Sequence, residues 1–205
     1  MYDPEKRKAM EAHADQVGGR VPWDQYRDLG LDSARRLILC RNAATAITDV
    51  AAMVVPAPYR TAAYEAALTR DRAAPVGPPP LLADVSGPAP NPTVLLDEAV
   101  LRRWVGGKDV LAGQLHHLLD IIDTGQATVR VLPYDTAAPP ICGDGAELVI
   151  EGAVLSAHIV HGAPVYESRS VPFRCAHATL AAALAAALDA EASRSLIAQA
   201  AQHLR

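Results

Sequence analysis

Two periods of apolar residues divide this chain. Between Asp109 and Asp123, Leu111, Leu115, Leu118 and Ile122 recur at intervals of three and four, which places them on one face of a helix. The runs on either side, Val94–Leu96 and Ala127–Leu132, are short and rich in apolar and β-branched residues, as strands are. A strand, a crossover helix and a second strand imply a parallel pair joined right-handedly. Further on, Glu147–Ile150 and Val154–Val160 alternate about the short Glu151-Gly152-Ala153 turn as a hairpin, and Val165-Tyr166-Glu167 reads as an edge strand. From Phe173 onward helix formers dominate. They break near Asp189, whose side chain can cap a final helix running through Leu204.

The first half is patterned less clearly. Asp3 before Pro4 suggests an N-cap and Gly18-Gly19 a stop, so residues 4–17 read as a short charged helix. Met10 and Val17 are too few to anchor it, which makes it a loosely docked arm or a partner-binding element. Pro22 opens a second helical region, with Trp23, Tyr26, Leu29, Leu37 and Ile38 at approximate helical spacing, interrupted at Gly30 and continuing towards Asp49. A third helical piece, Thr61–Arg70, follows the turn at Pro56–Pro58. Residues 75–92 hold too much proline and glycine for a helix or a central strand and read as a stiff spacer. The pattern gives a charged arm over 1–20, a helical subdomain over 21–74, a Pro-rich linker over 75–92 and an α/β core with closing Ala-rich helices over 93–205. The fold class is α/β in the mixed α+β sense, with a small, partly parallel sheet.

Composition narrows the function classes. With 205 residues and 50% hydrophobic content the chain can bury one substantial core. Its net charge of −4 supplies no overall positive field for nucleic acid or an anionic membrane, so neither is expected as a partner. The three cysteines, Cys40, Cys142 and Cys175, are scattered and odd in number, which fits a reducing cytoplasm. The N-terminus has no continuous apolar segment of the kind a signal peptide or membrane span requires.

Candidate chemistry is sparse. Asp97-Glu98 ends a strand of the parallel pair, where ligand crevices open in such sheets, and a carboxylate there can act as a general base or hold an amine. The same pair can instead cap the helix that begins near Ala99. His117, Tyr134, Tyr166 and Glu167 complete the set of candidate acid/base groups. Trp23, Tyr26, Tyr64 and Trp104 are candidate walls of an apolar ligand pocket, with core packing as the alternative for each. His116 and His117 are adjacent on a helix, about 100° apart, and cannot readily share a metal; one should flank the core and the other face water. His158 and His161, three apart on or after a strand, fall on opposite faces. Cys142 sits in a glycine-rich loop without an assigned base and reads as a small buried hydrophobe. No metal site is expected, and neither Gly143-Asp144-Gly145 nor Gly106-Gly107 forms a phosphate-binding loop, so no cofactor is implied.

The spacing of Leu96-Asp97-Glu98, Leu101-Arg102-Arg103, Val105-Gly106-Gly107, Gln114-Leu115, Leu118-Leu119 and Val129-Arg130-Val131-Leu132-Pro133 resembles an actinobacterial domain of unknown function that follows the helix-turn-helix in WhiJ-like, XRE-family regulators. More weakly, the resemblance reaches back through Tyr64 and Val55-Pro56 to Trp23, and it continues through Val165-Tyr166-Glu167 to Ser193–Ile197. About twenty residues precede it, so the DNA-reading element is expected to be missing. Ala57-Pro58-Tyr59-Arg60 replaces the family's glycine-leucine-leucine-glutamine turn, and the Pro-rich linker replaces a charged helix. The order of elements is also similar to one half of a phospholipase-D-like fold, but the His-x-Lys motif of that family is absent before the hairpin. The resemblance implies a binding domain derived from a regulatory sensor, with a small apolar metabolite or a small regulatory protein as partner and a homodimer as one form. The alternative is a stand-alone natural-product enzyme, a cyclase or isomerase, working through positioning and a few acid/base groups.

Overall fold

The computed structural model describes residues 25–28, 33–70, 91–141, 143–160, 163–168 and 170–204. The expected helix over 4–17, Trp23, residues 75–90, Cys142 and His161 lie outside them. The described strands are β1 (Gln25–Arg27), β2 (Ala46–Ala51), β3 (Thr93–Asp97), β4 (Thr128–Leu132), β5 (Gly145–Ile150), β6 (Ala153–Val160) and β7 (Ala163–Glu167). The helices are α1 (Ser33–Ala43), α2 (Ala62–Thr69), α3 (Glu98–Arg102), α4 (Lys108–Asp123), α5 (Val171–Ala186) and α6 (Ala190–Gln202). The strands form a single sheet in the order β1-β7-β6-β5-β2-β3-β4. Pairing is parallel between β2 and β3 and between β3 and β4, and antiparallel elsewhere, so the sheet is mixed and partly parallel as the patterning predicts.

The unit of strand, crossover helix and strand forms as expected, with Val94 opposite Val129 and Leu96 opposite Val131. These residues turn to one face of the sheet and pack with Leu111, Leu115, Leu118 and Ile121 of α4 and Ile197, Ala200 and Ala201 of α6 in the main core. Ile121, rather than Ile122, is the buried residue of the last turn, and Ile122 packs at the margin of the same cluster. Each fully buried leucine here contributes about 1.5–3 kcal/mol relative to exposure. Gln114 is buried among them because it closes a backbone gap: its Oε1 accepts from Thr61 N at 2.8 Å and its Nε2 donates to Tyr59 O at 2.7 Å. On the opposite face, α5 packs Leu180 and Ala183 on Leu95 and Leu132.

Two expectations are corrected. The helical region continuing towards Asp49 ends at Ala43, and Ala46–Ala51 is a central strand whose Ile47, Asp49 and Ala51 are buried. An aspartate is tolerated in that strand because Arg41 of α1 donates to both its oxygens, Nη1 to Oδ1 at 2.7 Å and Nη2 to Oδ2 at 2.9 Å, while Tyr59 OH donates to Oδ2 at 2.6 Å. Tyr26 likewise lies in a strand, β1, so the stretch over 21–74 supplies two strands to the sheet rather than helices alone. The second correction concerns Val165-Tyr166-Glu167, which is not at the edge. β1 pairs outside it, matching Gln25 with Glu167 and Arg27 with Val165.

The helix ends follow the expected capping chemistry. Thr61 Oγ1 accepts from Tyr64 N at 3.2 Å, Ser170 Oγ from Phe173 N at 3.0 Å and Asp189 Oδ1 from Ala192 N at 2.8 Å. The β5–β6 hairpin closes through Glu151 and Gly152, with φ of 51° and 79°. Two successive positive φ angles match the right-handed twist of the flanking strands and fix the register, setting Glu147 opposite Ser156. Among the described residues no single helix is long and apolar enough to cross a membrane. The pair α5 and α6 meets that test of length and composition only across an 83° bend.

Candidate functional site

The structure brings three of the predicted residues together. Asp97 ends β3, and its Oδ1 accepts from Ala99 N at 2.8 Å, the capping role that the sequence offers as the alternative to catalysis. Glu98 begins α3; its Oε1 accepts from Arg102 at 2.9 Å and its Oε2 from Tyr134 N at 3.1 Å, which fastens the loop after β4 to the end of β3. The Tyr134 phenol is exposed, and its pKa is raised by partial burial and then by the charges of Asp97 and Glu98. Trp104, also exposed, carries the Lys108 ammonium over its ring at 4.9 Å.

The other candidates lie elsewhere. Glu167 is on β7, four strands along the sheet from β3, or roughly 19 Å at the usual spacing. It is buried and accepts from Ser170 Oγ at 3.1 Å, steadying the residue that caps α5. Tyr166 is buried on the other face of β7, opposite Ala157 and Tyr26. His117 sits half-buried on α4, nine residues and about 14 Å along the axis from Lys108. Its neighbour His116 faces water, with Nδ1 2.7 Å from Ala112 O. Tyr64 has no exposed surface, and its hydroxyl accepts from Val55 N at 3.3 Å, so it packs in the main core. The six acid/base candidates therefore do not form one site.

A pocket does form on the sheet face that carries α5. Alternation along the strands turns Val50 of β2, Gly145 and Glu147 of β5, and Ser156 and His158 of β6 towards Thr179, Leu180 and Ala183 of α5. The space enclosed is about 60 Å³, room for roughly four or five water-sized groups, and it opens to solvent. Gly145 pairs directly with His158, and a Cβ there would collide with the imidazole and with Ala157 O. The missing side chain lets the ring lie over β5. His158 Nε2 is 2.7 Å from Ser156 Oγ. At the rim, His177 of α5 places Nδ1 2.9 Å and 3.1 Å from the two oxygens of Glu147, with its ring stacked on Phe173 at 5.7 Å.

The sequence does not single out Glu147, Ser156 or His177, and it offers His158 only beside His161, on the opposite face of a strand. The signal was the hairpin itself. A two-residue turn at Glu151-Gly152 fixes Glu147 opposite Ser156, and His158 shares a face with Ser156 by alternation. Among the described residues no group of three or more His, Cys, Asp or Glu side chains is placed to hold a metal ion.

Fold and pocket define a mixed α/β domain in which, among the described elements, helices cover one face of a partly parallel sheet and α5 roofs a small cleft on the other. Over residues 34–199 the chain matches the family described as domain of unknown function DUF5753, and it belongs to that family. No curated protein matches it. Among solved structures it is similar to TrmBL2, an archaeal chromatin protein whose structure shows a novel mode of DNA binding. That similarity has 13% identity and a TM-score of 0.28, covering 87% of this chain and 56% of that one. The chain thus spans little more than half the length of that protein.

Proposed function

We propose that the chain is a small-molecule-binding domain that holds its ligand between α5 and the face formed by β2, β5 and β6. In this reading it is a sensor module of the actinobacterial regulatory type, and ligand binding is its whole chemistry. The observation that carries it is the pocket: apolar walls from Val50, Ile141, Leu180 and Ala183 surround a few convergent polar groups, Glu147, Ser156, His158 and Thr179. That is the composition of ligand sites in general. A cyclase or isomerase role has one observation on its side, the meeting of Asp97, Glu98 and Tyr134. Its support is weaker because those carboxylates already hold Ala99 N, Arg102 and Tyr134 N.

Native mass spectrometry of protein purified from its own type of host tests the binding reading. A small molecule should co-purify with the chain and be lost from Ala176→Trp, which crowds the pocket from the exposed side of α5. A ligand-free mass, together with a melting temperature that no member of a metabolite library moves, would overturn it.

A further inference from the structure

The lining of the pocket also restricts the chemistry of what enters it. Its polar residues are Glu147, Ser156, His158 and Thr179; among the described lining residues there is no lysine or arginine, and Glu147 supplies the one carboxylate. An anionic ligand would meet that carboxylate with no lysine or arginine among the described lining residues to offset it, and a buried like charge is strongly disfavoured. Glu147 keeps only 14% of its side-chain surface and directs both oxygens to one N–H donor, Nδ1 of His177. His177 is itself 48% exposed and attached to the outer part of α5, so its ring can turn to solvent and vacate those oxygens. Beyond them, Gly145, Ala146 and Ala183 leave space that Val50, Ile141 and Leu180 line with hydrocarbon.

We infer that the pocket binds a short aliphatic ammonium group, with Glu147 accepting from the cation in place of His177 and the carbon chain packed between β2 and α5. Ser156, held by His158 at the floor, offers one further oxygen. This inference rests on the reading of the chain as a small-molecule-binding domain and names the ligand class for that same pocket. His177 acts as an internal competitor: its N–H occupies the site when no ligand is bound.

The test uses the full chain and three probes of equal size, isobutylamine, isobutanol and isobutyrate, followed by NMR shifts at Gly145, Ser156 and Ala183. The amine should bind about tenfold more tightly than the alcohol, because the ammonium adds an ion pair to the hydrogen bond that either probe can donate to Glu147, and the carboxylate should not bind. Glu147→Gln, which keeps the side chain's size, should reduce the amine to the alcohol's affinity. His177→Ala, at an exposed position, should tighten the amine by freeing the Glu147 oxygens, and that gain should vanish in the double variant with Glu147→Gln, a dependence that a merely structural role for His177 would not produce. Equal affinities for amine and alcohol, preference for isobutyrate, or an amine affinity insensitive to Glu147→Gln would overturn the ammonium assignment while leaving a binding pocket in place. Silence of the pocket resonances to all three probes would overturn both the assignment and the binding reading beneath it.

Discussion

Replacing Asp49 by alanine should destabilise the domain more than any surface substitution. The side chains of Arg41 and Asp49 keep only 10% and 3% of their exposure and meet through two hydrogen bonds of 2.7 and 2.9 Å. Burial opposes the charge on Arg41, but the bonds and charge of Asp49 outweigh it, so the guanidinium pKa is raised overall. Removing the carboxylate leaves a desolvated cation and also deprives the Tyr59 hydroxyl of its acceptor. Breaking a buried pair from one side costs about 3–5 kcal/mol, whereas replacing both members with apolar residues of similar size is often close to neutral. For a chain of this size, that loss corresponds to roughly 6–20 °C in melting temperature. Urea denaturation of Asp49→Ala, Arg41→Met and the double variant Arg41→Met with Asp49→Leu separates the two cases. The double variant should be more stable than Asp49→Ala by at least about 2 kcal/mol. A loss below about 1 kcal/mol for Asp49→Ala, or a double variant no better than that single one, would refute the account of a desolvated pair.

Burial, and after it the charge of Asp49, pushes the Tyr59 phenol far above its ordinary pKa of 10. Its contribution to stability is therefore complete below pH 10 and falls as the pH rises above 10 towards the folded value; a pH series of melting temperatures should show an alkaline decline that Tyr59→Phe reduces. Glu151 occupies a left-handed conformation at φ 51° that favours asparagine or glycine, so Glu151→Asn should stabilise the hairpin by about 0.5–1 kcal/mol. Denaturation of that variant checks the prediction, and a loss of stability would contradict the turn geometry.

The legible parts of the fold are those whose signal is local. The apolar repeat of α4 and the β-branched runs at Val94 and Val129 identify their elements because sequence neighbours supply the pattern. β2 was hidden for the opposite reason. Asp49 interrupts its apolar character, and the residue that makes it acceptable, Arg41, lies on a helix eight residues earlier. β1 is three residues long, too short for alternation to show, and without it β7 reads as an edge. At the strand ends, topology points to Asp97 and Glu98, while Tyr134 is one of six scattered acid/base candidates; that it meets Glu98 follows from the end of β3 adjoining the loop after β4. The pocket under α5 was not visible as a set. Its polar groups come from three elements, and His177 reaches Glu147 across thirty residues of chain.

The position of β2 also has a consequence for how this chain is made. β2 pairs with β3 on one side and with β5 on the other, and the bond from Thr45 N to Val149 O joins residues 104 apart. During synthesis from the N-terminus, Asp49 and the backbone of Ala46–Ala51 therefore emerge long before either neighbouring strand exists. Such pairing makes the sheet slow to close and leaves an unprotected strand edge in the meantime. Arg41, eight residues before Asp49, is the native partner of β2 nearest to it in sequence, and the Asp49 carboxylate places a charge at the strand while its edges are still open.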